Sequence, residues 1–322
     1  MLKRAMLAAF GTFAMALAGG APAYAQYPTK PIKLVIPYRA GGGSDSLARV
    51  LQAAIQQHKL MPVPLVIVNA TGAGGVVGAR RVKNAEPDGY TFLQMHNEMF
   101  ALAATDRLGF KPLKAYEPVA QLTQACLYLA VPSSSNLKTF DGMVAYAKKN
   151  PGKLKLADII GGIGHFAAVN MMNDLGIKLG IVQTGGTSAR FASLEGGHTE
   201  MAFMSSGWLK RGGDKLRGLL WMGDTAPAAA KGMPTAKSKN LDVIGCLNRR
   251  VWAPAGTPKD RVAYFAGVLK KAMNTPEIKK YTEKQMSDVR FRTGQNLRQD
   301  IEKELKSFDA AADTVKASMT KK

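Results

Sequence analysis

The chain has 322 residues and 44 Lys+Arg against 23 Asp+Glu, a net charge of +21, which is long for one hydrophobic core and comfortable for two. Its cations fall in scattered pairs (Lys148-Lys149, Arg249-Arg250, Lys270-Lys271, Lys279-Lys280) expected at helix ends or edges, with no interleaved aromatic residues, so nucleic acid is a poor partner. The charge reads instead as solubility and a field that draws small anions.

Lys3 and Arg4 form a basic start, Ala5 to Leu17 is nearly unbroken apolar sequence, and Ala23-Tyr24-Ala25 closes the segment in small residues. That is the pattern of a secretory signal peptide over residues 1–25, cleaved after Ala25, and it implies export to the periplasm. The apolar run is shorter than the ~20 residues a membrane-spanning helix needs. Without it the chain carries +19. Export also permits Cys126 and Cys246 to pair, but 120 intervening positions leave open whether they meet.

Pro31 to Pro37 is a β-rich run that ends in Tyr38-Arg39-Ala40-Gly41-Gly42-Gly43. Ser44 is the expected cap of a helix with Leu47, Val50, Leu51, Ala54 and Ile55 on one face. Val63 to Val68 predicts a strand, Gly72 to Gly78 opens a helix, and Pro87-Asp88-Gly89 turns into the strand Tyr90 to Met95. Leu122 to Val131 predicts another strand, and Thr139 caps a helix that Asn150-Pro151-Gly152 stops. A second such unit follows: strand Lys153 to Ala157, a glycine turn, a helix from Gly164, strand Gly180 to Gln183 and a further glycine turn. Strands at Leu216 to Trp221 and Val243 to Val251 come next. Thr257 is the expected cap of a helix with Pro258 at its first position, and the last long helix carries Leu297, Ile301, Leu305, Phe308, Ala312 and Val315 on one stripe. Strand, glycine turn, helix, strand, repeated, indicates an α/β fold with mostly parallel sheets in two lobes. The expected division is residues 26–125 with 247–322 in the first lobe and 126–246 in the second, two strands crossing between them.

Gly41-Gly42-Gly43-Ser44-Asp45 lies between a strand and a helix start, where backbone N–H groups and the helix dipole attract an anion. A tight turn with no ligand explains it equally well. Gly161-Gly162-Ile163-Gly164-His165-Phe166 repeats the device, and Gln183 to Ser188 and Met204 to Gly207 are further polar turns. Ligands of open α/β sheets bind at the carboxyl ends of strands, so such turns can converge on one cleft. The enzyme motifs fail. Gly72 to Gly78 is an imperfect dinucleotide fingerprint without its acidic partner, His96-Asn97-Glu98 is not a zinc-protease motif, and Ser44 is not in a nucleophile elbow. No Cys/His spacing suits zinc, and neither metal nor cofactor is expected. His58 and His198 read as surface residues. His96 and His165 are cleft candidates without a visible nucleophile.

Several segments together resemble the Bug family, the extracytoplasmic solute-binding receptors of tripartite tricarboxylate transporters. They are Tyr27-Pro28-x-Lys30-Pro31-Ile32, Pro37-x-x-x-Gly41-Gly42-Gly43-x-Asp45, Asn69-x-x-Gly72-Ala73-Gly74-Gly75-x-x-Gly78-Ala79, Pro87 to Thr91, Asn150 to Leu154 and Ala253 to Pro258. The likeness covers residues 26–322. It implies a two-lobed Venus-flytrap fold, no catalysis, a small organic acid held in the cleft, and a membrane transporter or sensor as partner of a monomeric receptor. The loop Pro37 to Gly43 would grip a ligand carboxylate through backbone groups and water, and Ile160 to His165, with Gly162, Ile163 and Gly164, would meet it. Asp45 favours an amine or holds the loop, the latter preferred, and Asn97 reaches a distal ligand group. Arg39 and Ala40 replace a stretch that is often Pro-rich in the family, and Arg39 adds a bidentate carboxylate contact. Thr184 stands where an aromatic residue is common, and Met204-Ser205-Ser206 replaces an Asp/Asn turn, so ligand identity does not transfer. Cys126 and Cys246 fall on the two crossover strands, neighbours at the hinge, where a disulfide is expected. The rival readings are an exported enzyme with His96 or His165 as base, and a basic module binding anionic polymers.

Overall fold

The computed structural model describes residues 27–184, 186–242 and 245–320. The expected signal peptide and its cleavage site lie outside the described residues, as do Gly185, Val243 and Ile244.

The chain opens with β1 (Ile32–Ile36), α1 (Gly43–Gln57), β2 (Leu65–Asn69), α2 (Val76–Lys83), β3 (Thr91–Met95), α3 (Glu98–Ala104) and α4 (Pro112–Ala115). The long strand β4 (Tyr116–Pro132) leads to α5 (Phe140–Lys149), β5 (Lys155–Asp158), α6 (Ile163–Leu175), β6 (Gly180–Gln183), α7 (Thr187–Glu195), β7 (Met201–Ser205), α8 (Trp208–Arg211) and β8 (Leu216–Trp221). The return is β9 (Cys246–Pro254), α9 (Lys259–Met273), α10 (Pro276–Gln285), β10 (Asp288–Arg292) and α11 (Gly294–Thr320). Each unit has a parallel triplet, β2-β1-β3 and β6-β5-β7. The strands between the triplets are antiparallel, so the sheet is mixed, in the order β2-β1-β3-β9-β4-β7-β5-β6.

β4 joins the two halves. Its residues Tyr116 to Cys126 pair with β9, and from Leu127 onward it pairs with β7 and β8. The strand is buried along almost all its length, the burial expected of a strand covered on both faces. Cys126 lies opposite Cys246 at the changeover, and the two are joined as a disulfide with Cα atoms 3.8 Å apart.

Helices α1, α9 and α10 cover one face of the first triplet around Leu34, Leu51, Phe92 and Phe265. On the other face Phe100, Trp252 and Phe308 form a core that also takes in Ile163, Phe166 and Val169 of α6. This core exists because α11 is 27 residues long, about 40 Å at the helical rise per residue. Its Leu297 and Ile301 lie under the first half, while α6 meets its later turns. The C-terminal quarter therefore touches both halves. The Arg249-Arg250 pair, expected at an edge, lies inside β9.

Thr139 caps α5, its Oγ1 accepting from the Gly142 N–H at 3.0 Å. Two other expected caps are absent. α1 starts at Gly43 with Gly42 in the cap position, and Ser44 sits inside the first turn. Thr257 instead donates to the Pro254 carbonyl, and α9 begins only at Lys259.

Candidate functional site

The two glycine turns have one backbone design. Gly41 (φ +80°) and Gly161 (φ +75°) each take a left-handed conformation that glycine adopts without steric cost. In each, the next glycine N–H turns back on the residue three before it, Gly42 to the Arg39 carbonyl and Gly162 to that of Ile159. The first glycine N–H is then held by a side chain four residues ahead. Gly41 donates to Asp45 Oδ2 at 2.8 Å, and Gly161 to His165 Nδ1 at 2.9 Å.

Asp45 is buried and also accepts from Arg49 Nε at 2.8 Å and Asn69 Nδ2 at 2.9 Å. Burial raises its pKa, but the hydrogen bonds from Arg49, Gly41 and Asn69, with the Arg49 charge, together outweigh it and hold the carboxyl below the usual range. Asp45 thus ties the Gly41 N–H to Arg49 and Asn69, the contacts of a residue that shapes the loop. Arg39, Ala40, Gly41, Gly42 and Gly43 themselves are exposed. The carbonyl of Gly43 accepts from the Tyr281 hydroxyl of α10 at 2.8 Å. The first-turn N–H groups of Gly43 and Ser44 have no acceptor among the described residues.

A cation the sequence reading placed elsewhere stands over this turn. A Cβ on Gly43 would lie 2.8 Å from a terminal nitrogen of Arg249. Arg250, one position on, is buried against Glu304. Strand alternation sends its neighbour the other way, and the buried Nε of Arg249 has no hydrogen-bond partner. The Tyr38 ring stacks on His96 at 5.0 Å and 8°, and its buried hydroxyl is likewise unpartnered. Burial pushes the Tyr38 phenol well up, Glu98 adds to the rise, and Arg249 opposes it. His96 follows β3; burial, helped by Arg249, pushes its imidazole down to about 3.

Glu98 links the turns. Its N–H donates to His96 Nδ1 at 3.1 Å, and its Oε2 accepts from the Ile163 N–H, the first of α6, at 3.3 Å. Burial pushes its carboxyl up to about 7, against the Ile163 hydrogen bond and with Asp158 adding, while Arg107 and Arg190 lower it. A Cβ on Gly162 would lie 3.3 Å from Glu98 Oε1, and one on Gly161 3.1 Å from Arg107. Gly164 passes so close to the buried Asp158 carboxylate that a Cβ there would overlap it. Asp158 is paired with Arg190 at 2.8 Å, and burial pushes it up to about 6.

The remaining expected site residues divide. Thr184 lies beside the second turn, its N–H and Oγ1 both on the Asp158 carbonyl. Ser205 ends β7 part-buried, and Ser206 Oγ donates to the Gln285 carbonyl of α10 at 3.0 Å. Asn97 is a correction. It is fully buried, its Nδ2 donates to the Cys246 carbonyl and to Glu304, and its Oδ1 accepts from the Asn248 N–H. Its amide pins β9 and α11 together and is not free for a ligand.

His165 does not fit the role of a base. Its Nδ1 accepts from Gly161, so Nε2 carries the proton and donates to Ser318 Oγ at 2.9 Å, while the Ser318 hydroxyl donates to the Val315 carbonyl at 2.6 Å. The pair looks like a Ser-His dyad but has the tautomer that cannot accept the serine proton, and burial holds the imidazole down to about 4. Among the described residues no cluster of three or more His, Cys, Asp or Glu is placed to hold a metal, and no helix is long and apolar enough to cross a membrane.

The family model for the tripartite tricarboxylate transporter family receptor matches residues 47–315. The chain belongs to that family. A protein of Cupriavidus necator, the UPF0065 protein in the gbd 5′ region, is 33% identical over 289 residues, covering 86% of this chain and 85% of the relative. MatC from Rhodopseudomonas palustris, solved with bound malate, superposes with a TM-score of 0.75 at 23% identity over 89% of this chain and 100% of its own. A second R. palustris protein, solved with adipate, gives 0.71 at 22% identity, over 91% and 98%. These likenesses place this receptor in the periplasmic solute-binding fold, as the sequence resemblance implied.

Arg249, Glu98 and Tyr281 were missed as site residues. Glu98 stood in plain sight after His96-Asn97, and the expected strand Val243 to Val251 already implies that Arg249 and Arg250 point to opposite faces, which the placement of the pair at an edge passed over. Nothing in the sequence signals that Tyr281 reaches Gly43.

Proposed function

We propose that this receptor captures a small carboxylate at the open turn before α1 and closes the second turn over it, then delivers it to its transporter or to a sensor. The observation that carries this reading is Arg249, a cation without a hydrogen-bond partner at its buried Nε, beside the unaccepted N–H groups of Gly43 and Ser44. A carboxylate supplies both, at about 1.5–3 kcal/mol for each charge-assisted hydrogen bond. Tyr38, with an unpartnered hydroxyl, and His96 would form the wall beside it, and Arg39 would close over it from the exposed loop. Malate and adipate in the neighbours support the ligand class.

Residues 26–125 with 247–322 would form one lobe and 126–246 the other. β4 and β9 would be the hinge, with α11 lying along both and limiting how far they part. The receptor acts in the periplasm as a monomer after cleavage behind Ala25 and makes or breaks no bond. The tautomer of His165 argues against its acting as a base, and His96 is a wall residue held neutral.

Native mass spectrometry of protein purified from its periplasm should find one co-purified acid, released unchanged. A panel of organic acids should then raise Tm with wild type and not with Arg249→Gln. Binding that survives Arg249→Gln undiminished would remove Arg249 from the site, and chemical turnover of the acid would refute the receptor reading.

A further inference from the structure

We propose that this cleft selects an acid with a single carboxylate and a hydrogen-bond donor at its far end, and discriminates against di- and tricarboxylates. The proposal rests on the receptor reading above and names its substrate class.

The two turns are not equally available to an anion. At the turn before α6 every N–H from Ile160 to Ile163 already has an acceptor. Ile160 donates to Gln183 Oε1 at 2.8 Å, Gly161 to His165, Gly162 to the Ile159 carbonyl, and Ile163 to the Glu98 carboxylate. The place a second ligand carboxylate would take, at the N-terminus of a 13-residue helix, is thus filled by the protein's own carboxylate. At the turn before α1 the reverse holds, with open N–H groups and an Arg249 Nε that lacks a partner.

Beside both turns lies the buried, unpartnered hydroxyl of Tyr38, whose ring stacks on His96, the acceptor of the Glu98 N–H. On the receptor reading, a ligand held between the turns would meet a cation at the Arg249 end and an anion at the Glu98 end. A diacid fits only the first. Its second carboxylate must face Glu98, or displace it from Ile163 and compete for the field of Arg107, the cation beside Gly161. A hydroxyl, amide or amine instead donates to Glu98 while it stays where it is. Like charges brought together in a closed site lower affinity by more than about tenfold.

The test is calorimetric titration at about pH 8, where Glu98 is ionised, with adipate, succinate and malate, each against its mono-amide. Wild type should bind the better mono-amide at least about tenfold more tightly than its parent diacid. Glu98→Gln, which keeps an acceptor for Ile163 but removes the charge, should recover the diacids and bring that ratio below about threefold. Diacids that bind wild type as tightly as their mono-amides would overturn the inference and leave the receptor reading standing. Binding of neither class would refute the carboxylate reading itself, and this inference with it. If Glu98→Gln does not fold by circular dichroism, the wild-type ratio alone decides.

Discussion

The turn at Gly41-Gly42-Gly43 and the turn at Gly161-Gly162-Ile163 share left-handed first glycines, the same back-turned N–H and the same side-chain tie from four residues ahead. Their surroundings differ in every respect. The first is exposed, is tied by an ionised Asp45, and faces Arg249. The second is buried, is tied by a neutral His165, and is covered by Glu98, Arg107 and Met319. An identical backbone device therefore has open N–H groups in one place, where we propose the anion binds, and is an internal joint in the other. What it does depends on which side chains the rest of the fold brings to it.

Substitutions that break the two turns should separate along that line. The largest effect is expected at Gly164→Ala. Its methyl overlaps a buried carboxylate that cannot withdraw without losing Arg190, and destabilisation of about 3 kcal/mol or more should show in urea unfolding. Asp45→Ala comes next. It leaves the Gly41 N–H, Asn69 and Arg49 without their common acceptor and should cost about 2 kcal/mol, with ligand affinity lost as the loop loosens.

Glu98→Gln should reveal itself through pH. The folded carboxyl is raised from 4.5 to about 7, so the folded state holds the proton more tightly and wild type loses stability as pH climbs from about 4.5 to 7. Gln lacks that loss, so the two proteins should differ by a constant amount below about pH 4.5, with the variant gaining up to about 3 kcal/mol above pH 7. A pH-independent difference would mean that Glu98 is not desolvated. The smallest stability effect is expected at Gly43→Ala. Its methyl meets only the far end of the flexible Arg249 side chain, so Tm should hardly move, yet affinity should fall about tenfold as the guanidinium is pushed aside. A large fall in Tm with affinity intact would reverse the comparison between the turns.

Much of the fold was legible. The parallel triplets follow from strand, glycine turn and helix repeated twice, and Thr139 marked its helix start as expected. The two caps that failed, Ser44 and Thr257, failed for tertiary reasons. Gly42 takes the extended cap conformation because Asp45 and Arg39 shape the loop, and Thr257 is drawn back onto Pro254. The candidate site was half legible. Its glycines and Asp45 are local features with local hydrogen bonds. Arg249, Glu98 and Tyr281 reach it from segments 50 or more residues away, and Asn97 is diverted to Glu304 and β9 by packing that no local pattern records.

The sequence by itself determined the two βα turns, because a positive φ at Gly41 and Gly161 and a side-chain acceptor four residues on are matters of short-range sterics and hydrogen bonding. It also carried the family resemblance, in the segments Tyr27 to Ile32, Pro37 to Asp45, Asn69 to Ala79, Pro87 to Thr91, Asn150 to Leu154 and Ala253 to Pro258. Only the tertiary structure decided which turn stays open and which is filled. That depends on where the side face of β9 aims Arg249, where the start of α3 sets Glu98, and how far α11 reaches, and these are long-range consequences of sheet order and packing.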